Sequence, residues 1–264
     1  MKRLPLSILA VLALTATVSS ARTDAAAPPP QFEPLQGEWI ERLELAGPLA
    51  GRIAYVAPPV GATGPRPVVV AIHGAVDDPG LICSAWRIVT DVYPFVLCPG
   101  GSRVRQDTYV WPSSDAIDAS IDAALAALRA RYGDRVHPGP ALYVAFSQGA
   151  NLAGPVLGRA NRGRFARAVL TEGGYRAFET AEAARAFSAA GGERVLYTCS
   201  QPGCTTSFAT SQLPRDRVKV VYSGAHGHSM VPAVRQSIHD ALPWVVEGLA
   251  GWTAYADAPK LASH

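Results

Sequence analysis

No run of five or more lysines and arginines occurs in this chain, and its formal charge of +3 includes the cations near its start. Nothing therefore marks a face for nucleic acid, and no such partner is expected. No Gly-x-Gly-x-x-Gly follows a strand-like run and no phosphate-loop motif is present, so no nucleotide cofactor is implied. Asp77 and Asp78 stand side by side without a third ligand at usable spacing; they read as loop residues, and no metal is expected. The apolar stretch over about residues 4–18 is shorter than the roughly 20 residues a membrane span needs, and no cysteine follows it closely enough for lipidation. A stable membrane anchor is not expected. Internal repeats and a second domain are also lacking.

What remains is a chain of 264 residues, 48% hydrophobic and only 17% charged, enough for one sizeable core. The opening "MKRLPLSILAVLALTATVSSA" has two cations, an apolar run and small residues suited to cleavage, the three parts of a secretory signal over residues 1–21. An Ala/Pro-rich leader is expected over 22–36, a catalytic domain over 37–252 and a tail over 253–264. A secreted or periplasmic location follows. All four cysteines, Cys83, Cys98, Cys199 and Cys204, lie past the signal, where an oxidising compartment permits two bridges in three connectivities. Cys83–Cys98 and Cys199–Cys204 are favoured over free buried thiols. In the first pair, one cysteine starts a helix and the other ends the next strand, at the same edge of a parallel sheet.

"WIERLEL" and "GRIAYVAP" alternate apolar with polar around a glycine-bounded turn, which predicts an antiparallel hairpin at a sheet edge. The pattern then changes. "PVVVAIHG", "YPFVLCPGG", "PALYVAFSQG", "FARAVLTEGG", "RVLYTCSQPG" and "RVKVVYSGAHG" are short apolar runs closed by small residues, as buried parallel strands are. Between them, Ile117, Ile121, Leu125 and Leu128 recur at helical spacing, with Ser113, Ser114 or Asp115 to cap the start and Gly133 to end it. A last helix begins near Pro232, with a kink expected at Pro243. Alternating strands and helices predict a mostly parallel sheet with helices on both faces.

Ligands of such sheets sit at the carboxyl ends of the strands. Ser147, Glu172 and His228 each follow one of the runs. A serine hydroxyl is a poor nucleophile until an imidazole takes its proton, and the imidazole needs a carboxylate to fix its tautomer. Around Ser147, Ala145 and Gly149 are the small neighbours that a sharp strand-to-helix elbow requires. The helix after the elbow points amides and its positive end at the site, making Gln148 one oxyanion donor. The second is expected in the loop after the first parallel strand, at His73-Gly74-Ala75, with Ala75 as donor. By itself an Ala/Gly-x-Ser-x-Gly match is weak. Its setting, with a Gly-His at a later strand end, favours nucleophile over turn residue. His228 is preferred to His226 because "GHSM" runs on into a helix. His73 is read as shaping its loop by hydrogen bonding, and His137, His239 and His264 as solvated.

From about residue 66 to 250, "VVVAIHG", "AFSQGANLA" and "GAHGHSMVPAVRQSIHDALPWV" resemble the α/β-hydrolase fold, closest to bacterial carboxylesterases and to dienelactone-hydrolase-like or phospholipase/carboxylesterase-like members. The resemblance implies Ser147 as nucleophile, His228 as general base and acid, and His73-Gly74-Ala75 as the oxyanion-loop region. It also places the acid after "RVLYTCSQPGC", which contains no Asp or Glu. Only Ser200 and Gln201 are polar there, inside a Cys-x4-Cys bracket. The acid is therefore expected one strand earlier, at Glu172, where Gly173 and Gly174 permit a tight turn.

The expectation is an α/β-hydrolase domain without a large cap, hydrolysing small-molecule or polymer-borne esters through an acyl-enzyme. A peptidase of this fold is the nearest enzymatic rival, and a hydrolase-fold protein that binds without catalysis is the rival from another class. Acyl and alcohol specificity and the oligomeric state stay open.

Overall fold

The computed structural model describes residues 30–159 and 163–261. The expected signal and most of the expected leader lie outside the described residues. The chain opens with β1 (Glu41–Glu44) and β2 (Ile53–Ala57), an antiparallel pair at one edge of the main sheet. Next come β3 (Val68–Ile72), α1 (Pro79–Val89), β4 (Phe95–Pro99) and a separate antiparallel ribbon of β5 (Ser102–Arg105) and β6 (Thr108–Val110). After α2 (Ser114–Tyr132) follow β7 (Ala141–Phe146), α3 (Gln148–Asn151), α4 (Ala153–Leu157), β8 (Phe165–Thr171) and α5 (Ala181–Ala189). β9 (Arg194–Cys199), α6 (Cys204–Ser207), β10 (Val218–Tyr222) and α7 (Pro232–Val246) complete it.

The main sheet has eight strands in the order β1-β2-β4-β3-β7-β8-β9-β10. Pairing is parallel from β4 to β10 and antiparallel only at β1–β2 and β2–β4. Each of the six expected runs is a strand. Period-two alternation sends Val68, Val70 and Ile72 into one core and Val69 and Ala71 into the other. α2, α4 and α5 cover the first face, and α1 and α7 the second. The predicted stripe of α2 is buried, the Ser113 hydroxyl accepts from the Ala116 amide, and Gly133 ends the helix at φ 52°. At α7 the chain stays helical through Pro243 to Val246. Among the described residues no helix is long and apolar enough to cross a membrane.

Sequence patterning did not anticipate the β5–β6 ribbon, because "SRVRQDTYV" has neither a buried run nor clean alternation. Its backbone is held from outside: Asp77 and Tyr109 exchange both N–H···O bonds, at 3.2 and 2.9 Å. This ties the ribbon to the loop after β3.

Cys83 is paired with Cys98 and Cys199 with Cys204, with Cα separations of 5.7 and 6.3 Å. The chain on either side of the expected domain also packs onto it. The Phe32 and Leu35 amides donate to the carbonyls of Thr63 and Ala62. His239 is not a solvated residue as expected, since its Nε2 lies 3.0 Å from Asp91 Oδ2. The same buried carboxylate accepts from Tyr255 Oη and from the Leu261 amide, which fastens the tail.

Candidate active site

β7 ends in a sharp turn. Ser147 has φ 52° and ψ −114°, a backbone conformation that costs a non-glycine residue on the order of 1–3 kcal/mol and persists only where the surroundings enforce it. The Ser147 amide donates to the Thr171 carbonyl at 2.9 Å, and the Ser147 carbonyl accepts from the Asn151 amide at 2.9 Å. Close packing does the rest. A Cβ on Gly149 would come within 2.6 Å of Ile72 Cγ2 and 2.8 Å of the His73 carbonyl oxygen, and one on Gly173 within 2.6 Å of the Ser147 carbonyl oxygen. Only glycine lets these segments press against the elbow.

The structure brings His228 to this serine across 81 residues of sequence, with Nε2 2.7 Å from Ser147 Oγ, within reach for proton transfer. His226 is not part of the contact; its amide donates to the Gly224 carbonyl within the loop. Glu172 stands one residue past β8, also at positive φ, 52°, with its side chain wholly buried. One carboxylate oxygen, Oε1, accepts from the Ser200 amide at 2.5 Å. The other, Oε2, has no hydrogen-bond partner among the described residues and lies 3.8 Å from His228 Nδ1. That distance is an electrostatic contact rather than a hydrogen bond.

The strand end that lacks a carboxylate is nevertheless in use. Ser200 Oγ donates to the Gly227 carbonyl, beside His228, and the Gln201 carboxamide nitrogen lies 3.3 Å from His228 Nδ1. A carboxamide carries a donor and an acceptor at its two ends, so Gln201 can serve either tautomer of the ring. By sequence alone the two residues are only the polar remnant of a loop. The available signal was their position at a strand end inside a cysteine bracket.

On the other side of the serine, His73 is buried, and its Nε2 accepts from the Gly101 amide at 3.1 Å. The proton therefore sits on Nδ1, which donates to the Gly74 carbonyl at 2.7 Å. Burial lowers the ring from its ordinary value of 6.5 to about 4, so His73 is neutral and built into the loop. Trp111 stacks on it at 4.7 Å and donates from its indole to the His73 carbonyl. The Gln148 side chain exchanges two hydrogen bonds with the Trp111 backbone, at 2.9 and 3.0 Å. Composition offered no hint of that clamp, which joins the loop after β3 to the helix after the serine.

Asp77 accepts from the Gly74 amide, and Asp78 caps α1 by accepting from Gly80. The Gly74 amide is thereby occupied, while no acceptor among the described residues takes the Ala75 and Gln148 amides. Gln148 follows Ser147 in the chain, and Ala75 lines the same groove as Ser147. Among the described residues there is no cluster of three or more groups able to hold a metal ion.

Neither a protein-family profile nor a curated protein matches the sequence. Solved structures do resemble it. FphF, a fluorophosphonate-binding serine hydrolase of Staphylococcus aureus, matches with a TM-score of 0.57 at 13% identity, over 79% of this chain and 98% of its own. An α/β serine hydrolase without lid from Xanthomonas campestris gives 0.54 at 14%, over 81% and 96%. LpqC, a poly(3-hydroxybutyrate) depolymerase from Bordetella parapertussis, gives 0.52 at 14%, over 78% and 87%. At such identities the likeness is one of fold.

Proposed function

From the premise that this chain has the α/β-hydrolase fold, we propose that it is a secreted or periplasmic serine hydrolase that cleaves carboxylic esters through an acyl-enzyme. The observation that carries the proposal is the 2.7 Å contact between Ser147 Oγ and His228 Nε2 on a strained elbow. Ser147 attacks the ester carbonyl carbon as His228 Nε2 takes its proton. The Gln148 and Ala75 amides hold the oxyanion of the tetrahedral intermediate. The imidazolium then protonates the departing alcohol, leaving the acyl group on Ser147. Water, deprotonated by the same ring, attacks the acyl-enzyme, and the imidazolium returns the proton to Ser147 Oγ as the acyl–Oγ bond breaks and the acid leaves. Glu172 stabilises the imidazolium from within the core and keeps the proton of the neutral ring on Nδ1. Two disulfides and the signal-like N-terminus support export.

The 3.8 Å gap between Glu172 and His228 gives the binding-protein reading its one specific support. A fluorophosphonate probe separates the two, because only an activated serine is phosphonylated. The proposal expects labelling of the folded protein that disappears in Ser147→Ala. No labelling above that background would end the enzymatic reading.

A further inference from the structure

A helix laid on a sheet normally turns polar residues to water, and α2, α5 and α7 expose no large apolar side chain. α1 differs. Leu81 is 65% and Ile88 39% exposed, and with Ala85 they form one ridge at i, i+4 and i+7. The ridge borders a groove of about 530 Å³ that Val76 and Met230 also line, together with Ser147 and His228. Val76 is 55% exposed, so three of the protein's exposed large apolar side chains converge beside the serine. Exposed apolar surface gathered in one place marks a site that something covers.

We propose that this ridge is the subsite for an aliphatic chain of the substrate, so that the enzyme acts on esters bearing a linear chain of several carbons in preference to the smallest esters. The assignment rests on the esterase reading above and names the substrate class of that same site. The occupant follows from continuity, since the groove includes the proposed nucleophile and its base. Its size agrees, lying within the range of roughly 300–1,000 Å³ that holds drug-sized ligands. The polar groups at its border are largely engaged. Asp77 accepts from the amides of Gly74 and Asp78, and Arg235 donates to the Met230 carbonyl at 3.2 Å. The ridge is also rigid, because the opposite face of α1 carries buried Trp86 and the Cys83–Cys98 bridge.

The test uses the folded, oxidised protein with p-nitrophenyl acetate, butyrate, hexanoate and octanoate, and with a parallel series of alkyl acetates. kcat/KM should rise about 2- to 4-fold per added methylene, the span between half and full burial of each group, until the chain outgrows the groove. The series that shows the rise tells whether the acyl or the alcohol chain lies on α1. Leu81→Asp combined with Ile88→Asp, both on the surface, should lower the hexanoate-to-acetate ratio of kcat/KM about tenfold or more. Leu81→Met with Ile88→Met should keep the ratio. A flat profile in both series, or a ratio that the aspartates do not move, overturns the subsite while acetate hydrolysis leaves the esterase reading standing. Absence of both hydrolysis and fluorophosphonate labelling overturns the esterase reading and the subsite together.

Discussion

Cys83 and Cys98 are wholly buried and join α1 to β4 inside the core, whereas Cys199 and Cys204 close a short loop at the edge of the site. Neither cysteine of the first pair lines the groove beside Ser147 and His228, although the exposed face of α1 borders it. The second brackets Ser200 and Gln201, whose contacts run to Glu172, to the Gly227 carbonyl and to His228 Nδ1. One covalent device thus braces α1 against β4 in one region and the loop beside Glu172 and His228 in the other. The proposed function then expects stability and turnover to separate along the line between the core and the ends of β8 and β9.

The sharpest way to break that comparison is to remove the site's charge without touching its shape. Glu172→Gln should lower turnover by up to about 10⁴-fold, as the equivalent change does in a Ser-His-Asp triad, with an unchanged circular-dichroism spectrum. Turnover near wild type would place the acid elsewhere or leave Ser147 and His228 as a dyad. Next in size, Cys199→Ala with Cys204→Ala frees the Ser200–Gln201 loop. kcat should fall by up to about 10²-fold, the scale of a misplacement of about 1 Å, with a stability loss of about 2 kcal/mol from the short loop. Steady-state kinetics beside a melting curve reads both.

Cys83→Ala with Cys98→Ala should do the reverse. Opening the longer loop costs about 3 kcal/mol, or about 6–12 °C in Tm for a domain of this size, while kcat per folded molecule holds. Equal kinetic losses in the two double variants would erase the distinction. His73 belongs to the same stabilising side. Its folded value near 4 lies below its ordinary 6.5, so the unfolded chain binds the extra proton first as pH falls. Its contribution is complete above about pH 6.5 and is lost on descending towards pH 4, about 3 kcal/mol in all. Denaturant midpoints measured across that window should decline, and less steeply in a His73→Asn variant. The smallest effects belong to Glu179→Gln and Asp240→Asn. Glu179 pairs with Arg176 just before α5, and Asp240 accepts from Gln236 on α7; turnover should stay within about 2-fold.

Much of this was legible from residue order. Alternation and small closing residues located the six parallel strands, and a local elbow pattern located Ser147, because both depend on neighbours a few positions apart. The ribbon β5–β6 was not legible, since its partner is the loop carrying Asp77. The clamp of Gln148 on Trp111 spans 37 residues, and no periodicity reports such a pair.

For the acid, the sequence by itself determined that β9 ends without a carboxylate and that Glu172 is the acidic residue one strand earlier, both facts of local order. Only the tertiary structure decided that this glutamate is buried, held by the Ser200 amide and facing His228. Parallel pairing of β8 with β9 sets their ends side by side, and the loop leading into α7 then carries the imidazole over both. That proximity comes from long-range strand register and loop closure, which no short stretch of chain encodes.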